Sequence, residues 1–105
     1  MKKIEKISNR IEEKIRSAES YMRDALACKE EDSALADAYF KIANDEMEHV
    51  NVLHTQVTNI ISLYRKDVGD PPKEMLLLYD ILHKKHIENA AIVKGMFALY
   101  KETTK

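Results

Sequence analysis

Tryptophan is absent, and cysteine occurs once, glycine twice and proline twice in a chain of 105 residues. The lone cysteine, Cys28, excludes an internal disulfide and points to a reducing compartment. So little glycine and proline, beside abundant Ala, Glu, Lys, Leu and Ile, favours an all-helical protein. No apolar run approaches the ~20 residues that span a bilayer, and no signal-peptide core follows Met1-Lys2-Lys3. No sign of charge dominates either: 17 basic and 18 acidic residues are scattered, for a net charge of −1. There is thus no basic face for nucleic acid and no acidic tail. The expectation is one soluble, cytoplasmic domain over residues 1–105.

What is present is helical periodicity. The first helix is expected over residues 3–29, with an apolar stripe of Ile4, Ile7, Ile11, Ile15, Ala18, Met22, Ala25 and Leu26. Glu30-Glu31-Asp32-Ser33 breaks it, with Asp32 or Ser33 as the next N-cap. The second helix is expected over residues 33–66, striped by Leu35, Ala38, Ile42, Glu46, His49, Leu53, Val57, Ile60 and Tyr64. Gly69 reads as a left-handed stop, Asp70 as an N-cap and Pro71 as a first helical residue. The third helix is expected over residues 71–102, striped by Met75, Tyr79, Leu82, His86, Ala90, Val93, Phe97 and Tyr100, before a frayed Thr103-Thr104-Lys105. Short connections imply an antiparallel helical hairpin plus a third long helix. Such a thin bundle has little central core, and Tyr21, Tyr39, Ala43, Val50, Ile61, Leu77 and Ile81 form a second apolar face. A homodimer or higher homo-oligomer would cover it and complete a four-helix packing.

Three polar residues interrupt the stripes. Glu46 and His49 stand where the second helix otherwise carries Ile, Ala, Leu and Val, and Glu19 falls between Ile15 and Met22. A helix turns once per ~3.6 residues, so Glu46 and His49 project from one side, one turn apart. A buried carboxylate must be protonated, paired or metal-bound. Glu19 lies about 12 residues before the first turn, and Glu46 and His49 about 14 and 17 after it, so an antiparallel hairpin levels them. One carboxylate plus E-x-x-H from the neighbouring helix is half of a carboxylate-bridged two-metal site. Glu19, Glu46 and His49 are therefore candidate metal-ligating and catalytic residues, suited to iron, manganese or zinc. The bland alternative is a solvated or salt-bridged cluster.

This pattern resembles the ferritin-like superfamily, and most closely its half-sized branch, the encapsulated-ferritin and rubrerythrin-like proteins. The resemblance covers about residues 4–66 and a trailing helix. It implies a ferritin-like bundle completed by oligomerisation, with a di-iron centre built from one Glu and one E-x-x-H of each of two subunits. By that likeness Glu19 is a terminal or bridging ligand, Glu46 bridges the metals and His49 binds one terminally. The implied activity is oxidation of ferrous iron with oxygen or peroxide. The chain departs from the branch in two ways. Lys101-Glu102-Thr103-Thr104-Lys105 is unlike its Gly- and Leu-containing cargo tail, and one cysteine excludes a Cys-rich rubredoxin module.

On the third helix, Asp80, His83 and His86 follow at spacing three, with Glu88 beyond. His83 and His86 would donate to the same centre, form a separate zinc site, or simply reach a hydrogen bond or water. His54 reads as solvated, Tyr39 and Cys28 as packing residues, and Glu12 as a solvated residue that could mark an entry path. Two rivals from other classes stand beside the oxidase. One is a non-enzymatic helical self-association or interaction protein, with Glu and His forming an interfacial network that sets register. The other is a structural zinc- or manganese-binding module without redox turnover.

Overall fold

The computed structural model describes residues 2–103. Among them the regular structure is three helices: α1 (Lys2–Cys28), α2 (Ser33–Asp67) and α3 (Lys73–Glu102). Of the expected frayed tail, Thr103 caps α3, and residues 104–105 lie outside the described residues. The bundle is a rod of 56 × 20 × 18 Å, as a helix of 35 residues dictates at ~1.5 Å per residue. No described helix is long and apolar enough to cross a membrane.

Each helix ends for a local reason. Asp32 caps α2, its side chain accepting from the Leu35 amide at 3.0 Å. Gly69, at φ +118°, takes a backbone conformation that side chains disfavour, and its N–H bonds the Tyr64 carbonyl at 3.2 Å. The expected cap of α3 is corrected. Pro72, not Asp70, is the N-cap, and the helix begins at Lys73 with no side-chain cap. A residue before proline is pushed out of the helical region, so Pro71 cannot open a helix that Pro72 follows.

The core follows a heptad. Ile4, Ser8, Ile11, Ile15, Ala18, Met22 and Ala25 are buried on α1, spaced alternately by four and three. Met75, His86, Val93 and Tyr100 are buried on α3. Both seams match their sequence stripes, and the 3.5-residue period is that of left-handed helix packing. On α2 the seam differs. Ala36, Ala43, Val50, Val57 and Ile61 are buried, whereas Leu35 and Ile42 remain 42% and 40% exposed and His49 is exposed. The residues read as a second face (Ala43, Val50, Ile61) are the core, and much of the expected stripe is an outer shoulder. Both faces repeat with the same period, offset by about one residue, so periodicity alone does not rank them.

α1 is the middle of the assembly and packs on both other helices. Aromatic side chains bridge α2 to α3 at one end: Phe40 stacks on Tyr100 with centroids 4.8 Å apart and meets Phe97 edge-on at 5.4 Å. Tyr100, 3% exposed, donates its hydroxyl to Asp37. Lys29 sits over its ring at 4.1 Å and donates to its carbonyl and to Thr103. Burial and the bond to Asp37 push the Tyr100 phenol up to about 12. The C-terminal ends of α1 and α3 therefore lie together, beside the start of α2. The order is up, down, up.

Candidate functional site

Glu46 and His49 are brought together. His49 Nδ1 lies 2.9 Å from Glu46 Oε1, so with its proton there the imidazole donates to the carboxylate. Lys14 Nζ donates to the same oxygen from α1 at 3.0 Å. Burial works to raise the Glu46 carboxyl pKa, but hydrogen bonds from Lys14, His49 and Ser17 outweigh it and hold it below the usual value. The Glu46 side chain is only 14% exposed, and that of His49 is 53% exposed. Position 46 interrupts an apolar stripe because its carboxylate is paired by a lysine from the neighbouring helix.

Glu19 is elsewhere. Its carboxylate pairs with Arg23 at 3.1 Å and lines a groove between α1 and α3 with Asn89 and Ile92. Lys14 and Ser17, which reach Glu46, occupy the side of α1 that faces α2. At ~100° per residue, Glu19 stands ~140° around the helix from Lys14. The level match holds along the axis, but rotation parts the residues. Glu12 is on the Glu19 side and is paired rather than free: it accepts from Arg16 at 2.9 Å and from Lys85 of α3 at 3.0 Å. The Lys85 hydrogen bond leads in holding its carboxyl below the usual range.

The histidines form a second cluster between α2 and α3. His54 Nε2 and His83 Nδ1 are 3.0 Å apart, with ring centroids at 4.7 Å. His54, expected to be solvated, is instead half-buried against α3. The expectation measured its angle from a stripe rotated away from the true core. His83 stacks on Tyr79, centroids 5.3 Å apart and planes 12° from parallel. His86 is 8% exposed and lines the same space beside Ile11. Burial, and for His54 the neighbouring His83, lowers the pKa of His54 and His86; Glu12 opposes this at His86. Asp80 and Glu88 are exposed. Among the described residues, no three His, Cys, Asp or Glu side chains of one chain are placed to hold a metal ion. Glu46 and His49 alone do not make a two-metal centre within one chain, and the Lys14 ammonium holds the place of a cation.

The outer shoulder of α2 is the other feature of this region. Leu35, Ile42, His49, Gln56 and Leu63 recur every seven residues, and Tyr39, Glu46, Leu53 and Ile60 lie four residues after the first four of them. Leu63 is 58% exposed. Tyr39, Leu53 and Ile60 pack only partly against the core. Glu46, His49 and Lys14 are a polar island in the middle of this second seam.

The fold and these clusters define an all-helical three-helix bundle with an uncovered apolar shoulder on α2. Compared with known proteins, the chain matches no family model, no curated protein and no solved structure. The ferritin-like likeness rests on Glu19 and Glu46-x-x-His49 alone.

Proposed function

We propose that the chain is a self-associating helical protein, in which a second copy lies antiparallel along the outer seam of α2. The observation that carries this is the seam's symmetry about His49. Leu35 and Leu63 stand 14 residues to either side of it, and Ile42 and Gln56 seven. A twofold axis at His49 sets Leu35 of one copy on Leu63 of the other. It also sets Asp32 opposite Lys66 and Glu31 opposite Asp67. Exposed apolar residues in helical register about a twofold axis are what an isologous interface requires. α3 also exposes Leu77, Ile81, Ile87, Ile92 and Leu99, but Lys84, Lys85 and Glu88 stand among them. Sedimentation equilibrium tests the reading. The expected result is a concentration-dependent dimer; a monomer at about 100 μM overturns it.

One observation favours a metal-binding version of the same interface. With Nδ1 on Glu46, His49 turns Nε2 away, the arrangement in which a carboxylate orients a ligating imidazole. Two copies meeting at His49 would offer two carboxylates and two imidazoles, donors suited to iron, manganese or zinc. This is the setting in which a ferritin-like di-iron ferroxidase activity belongs. Lys14 has to release Glu46, and Glu19 stays outside. Ferrous iron added in air, followed by near-ultraviolet absorbance with a Glu46→Gln control, tests this version. Equal rates in both proteins exclude it while leaving the dimer intact.

A further inference from the structure

The imidazoles between α2 and α3 are not used by the seam. His54 comes from α2 and His83 from α3, and they face one another nitrogen to nitrogen at 3.0 Å. Two nitrogens bound to one zinc at about 2.0–2.1 Å stand about 3.3 Å apart at a tetrahedral angle and about 2.9 Å apart at a right angle. The observed separation falls inside that window. Tyr79 stacking holds the His83 ring in place. Beside the pair, a groove of about 260 Å³, walled by Val50, Asn51, Ala90, Ala91 and Lys94, opens to solvent and gives an ion a way in. His86 stands in the same wall.

We propose that His54 and His83 form a two-imidazole clamp for a zinc-class divalent ion, cross-linking α2 to α3. The ion replaces the single N–H···N hydrogen bond with two metal–nitrogen bonds. The histidine that donated moves its proton to its other ring nitrogen, so no net proton is released. Water fills the positions on the groove side. The clamp closes the two helices that otherwise share the least packing, so its physical effect is stabilisation of the bundle.

The test is zinc titration of the chelator-treated full chain, by calorimetry and by thermal melting. One ion per chain is expected, with the melting temperature rising by about 10 °C at zinc near a hundred times Kd. His54→Gln and His83→Asn keep polar side chains at these positions, and each is expected to weaken zinc binding at least tenfold. Glu13→Gln, at an exposed position of α1 outside both histidine clusters, is expected to bind zinc like the parent. Imidazole resonances of His54 and His83 should shift together on titration. No binding at millimolar zinc overturns the proposal. So does binding that survives both the His54→Gln and the His83→Asn substitution.

Discussion

Replacing Ile42 with glutamate is the sharpest perturbation of the α2 seam. Ile42 keeps 40% of its surface in water within one chain. Complete burial of an isoleucine is worth about 1.5–3 kcal/mol, so covering the remainder contributes about 0.6–1.2 kcal/mol per copy. Symmetry counts every substitution twice, giving about 1.2–2.4 kcal/mol for the pair, or roughly a 7- to 50-fold weaker Kd. This is a floor, because the substitution also brings a carboxylate into the interface beside Glu46. The single chain should hardly notice: the site is a half-open shoulder, and Glu is a better helix former than Ile. Sedimentation equilibrium at several concentrations measures the Kd, and melting at high dilution measures the fold. Leu77→Glu, on the exposed face of α3, is the matched control and should leave the Kd alone. An Ile42→Glu protein that associates like the parent refutes the reasoning, as does a Leu77→Glu protein that associates less.

Met22 is fully buried at the centre of the α1 seam, so Met22→Ala should cost about 2–5 kcal/mol by chemical denaturation, through the cavity it leaves. Asp32→Ala removes the bond to the Leu35 amide and should cost about 0.5–2 kcal/mol, restored in large part by Asp32→Ser. The pKa values of His54 and His86 lie below their ordinary 6.5, so the unfolded chain binds more protons than the folded one as pH falls below that value. Their contribution is complete above about pH 6.5 and is lost on acidification through the folded-state values. His83, Lys85 and Glu12 face the cluster, and Glu12 partly offsets the effect at His86. Melting in chelator should therefore fall from pH 7.5 to pH 5.5, and fall less in His54→Gln; equal slopes count against the account.

The number and type of elements were legible in the residues. Scarce glycine and proline left two breaks, around residues 30–33 and 68–72, and helices filled the rest. On α1 the apolar positions form one dominant stripe, and on α3 the buried positions lie on the expected stripe although Leu77, Ile81, Ile87, Ile92 and Leu99 stay exposed beside it, so the buried side was readable too. On α2 it was not. Val50 and Ile61 turn inward while Ile42 and Leu63 stay exposed, although both sets lie on helical repeats of similar side chains. Only the neighbours decide between them. The small Ala36 and Ala43 let α2 approach closely, whereas the larger Leu35 and Ile42 stand at the edge. The error carried into the site. Glu46 and His49 were paired correctly because they share a helix one turn apart. Glu19 shares their axial level, but rotation about α1, which level does not report, separates them. His54 and His83 come together across two helices 29 residues apart, a proximity that no local pattern encodes.

A helix that buries one face against its own chain needs roughly three apolar positions in seven. α2 carries more than that, and the excess is neither random nor uniformly apolar. Its middle is Glu46, His49 and the Lys14 that reaches across from α1. In an interface, such an island sets register, because sliding the partner by one heptad in one direction sets His49 against Ile42 and leaves the island unpaired. Replacing Glu46 and His49 together with leucine removes that penalty and makes the seam continuous. The double variant should associate more tightly than the parent, yet sediment as a mixture of species where the parent gives one, because several registers become nearly equal in energy. A double variant that associates more weakly, or remains a single species, would show that Glu46 and His49 do something at the interface other than fix its alignment.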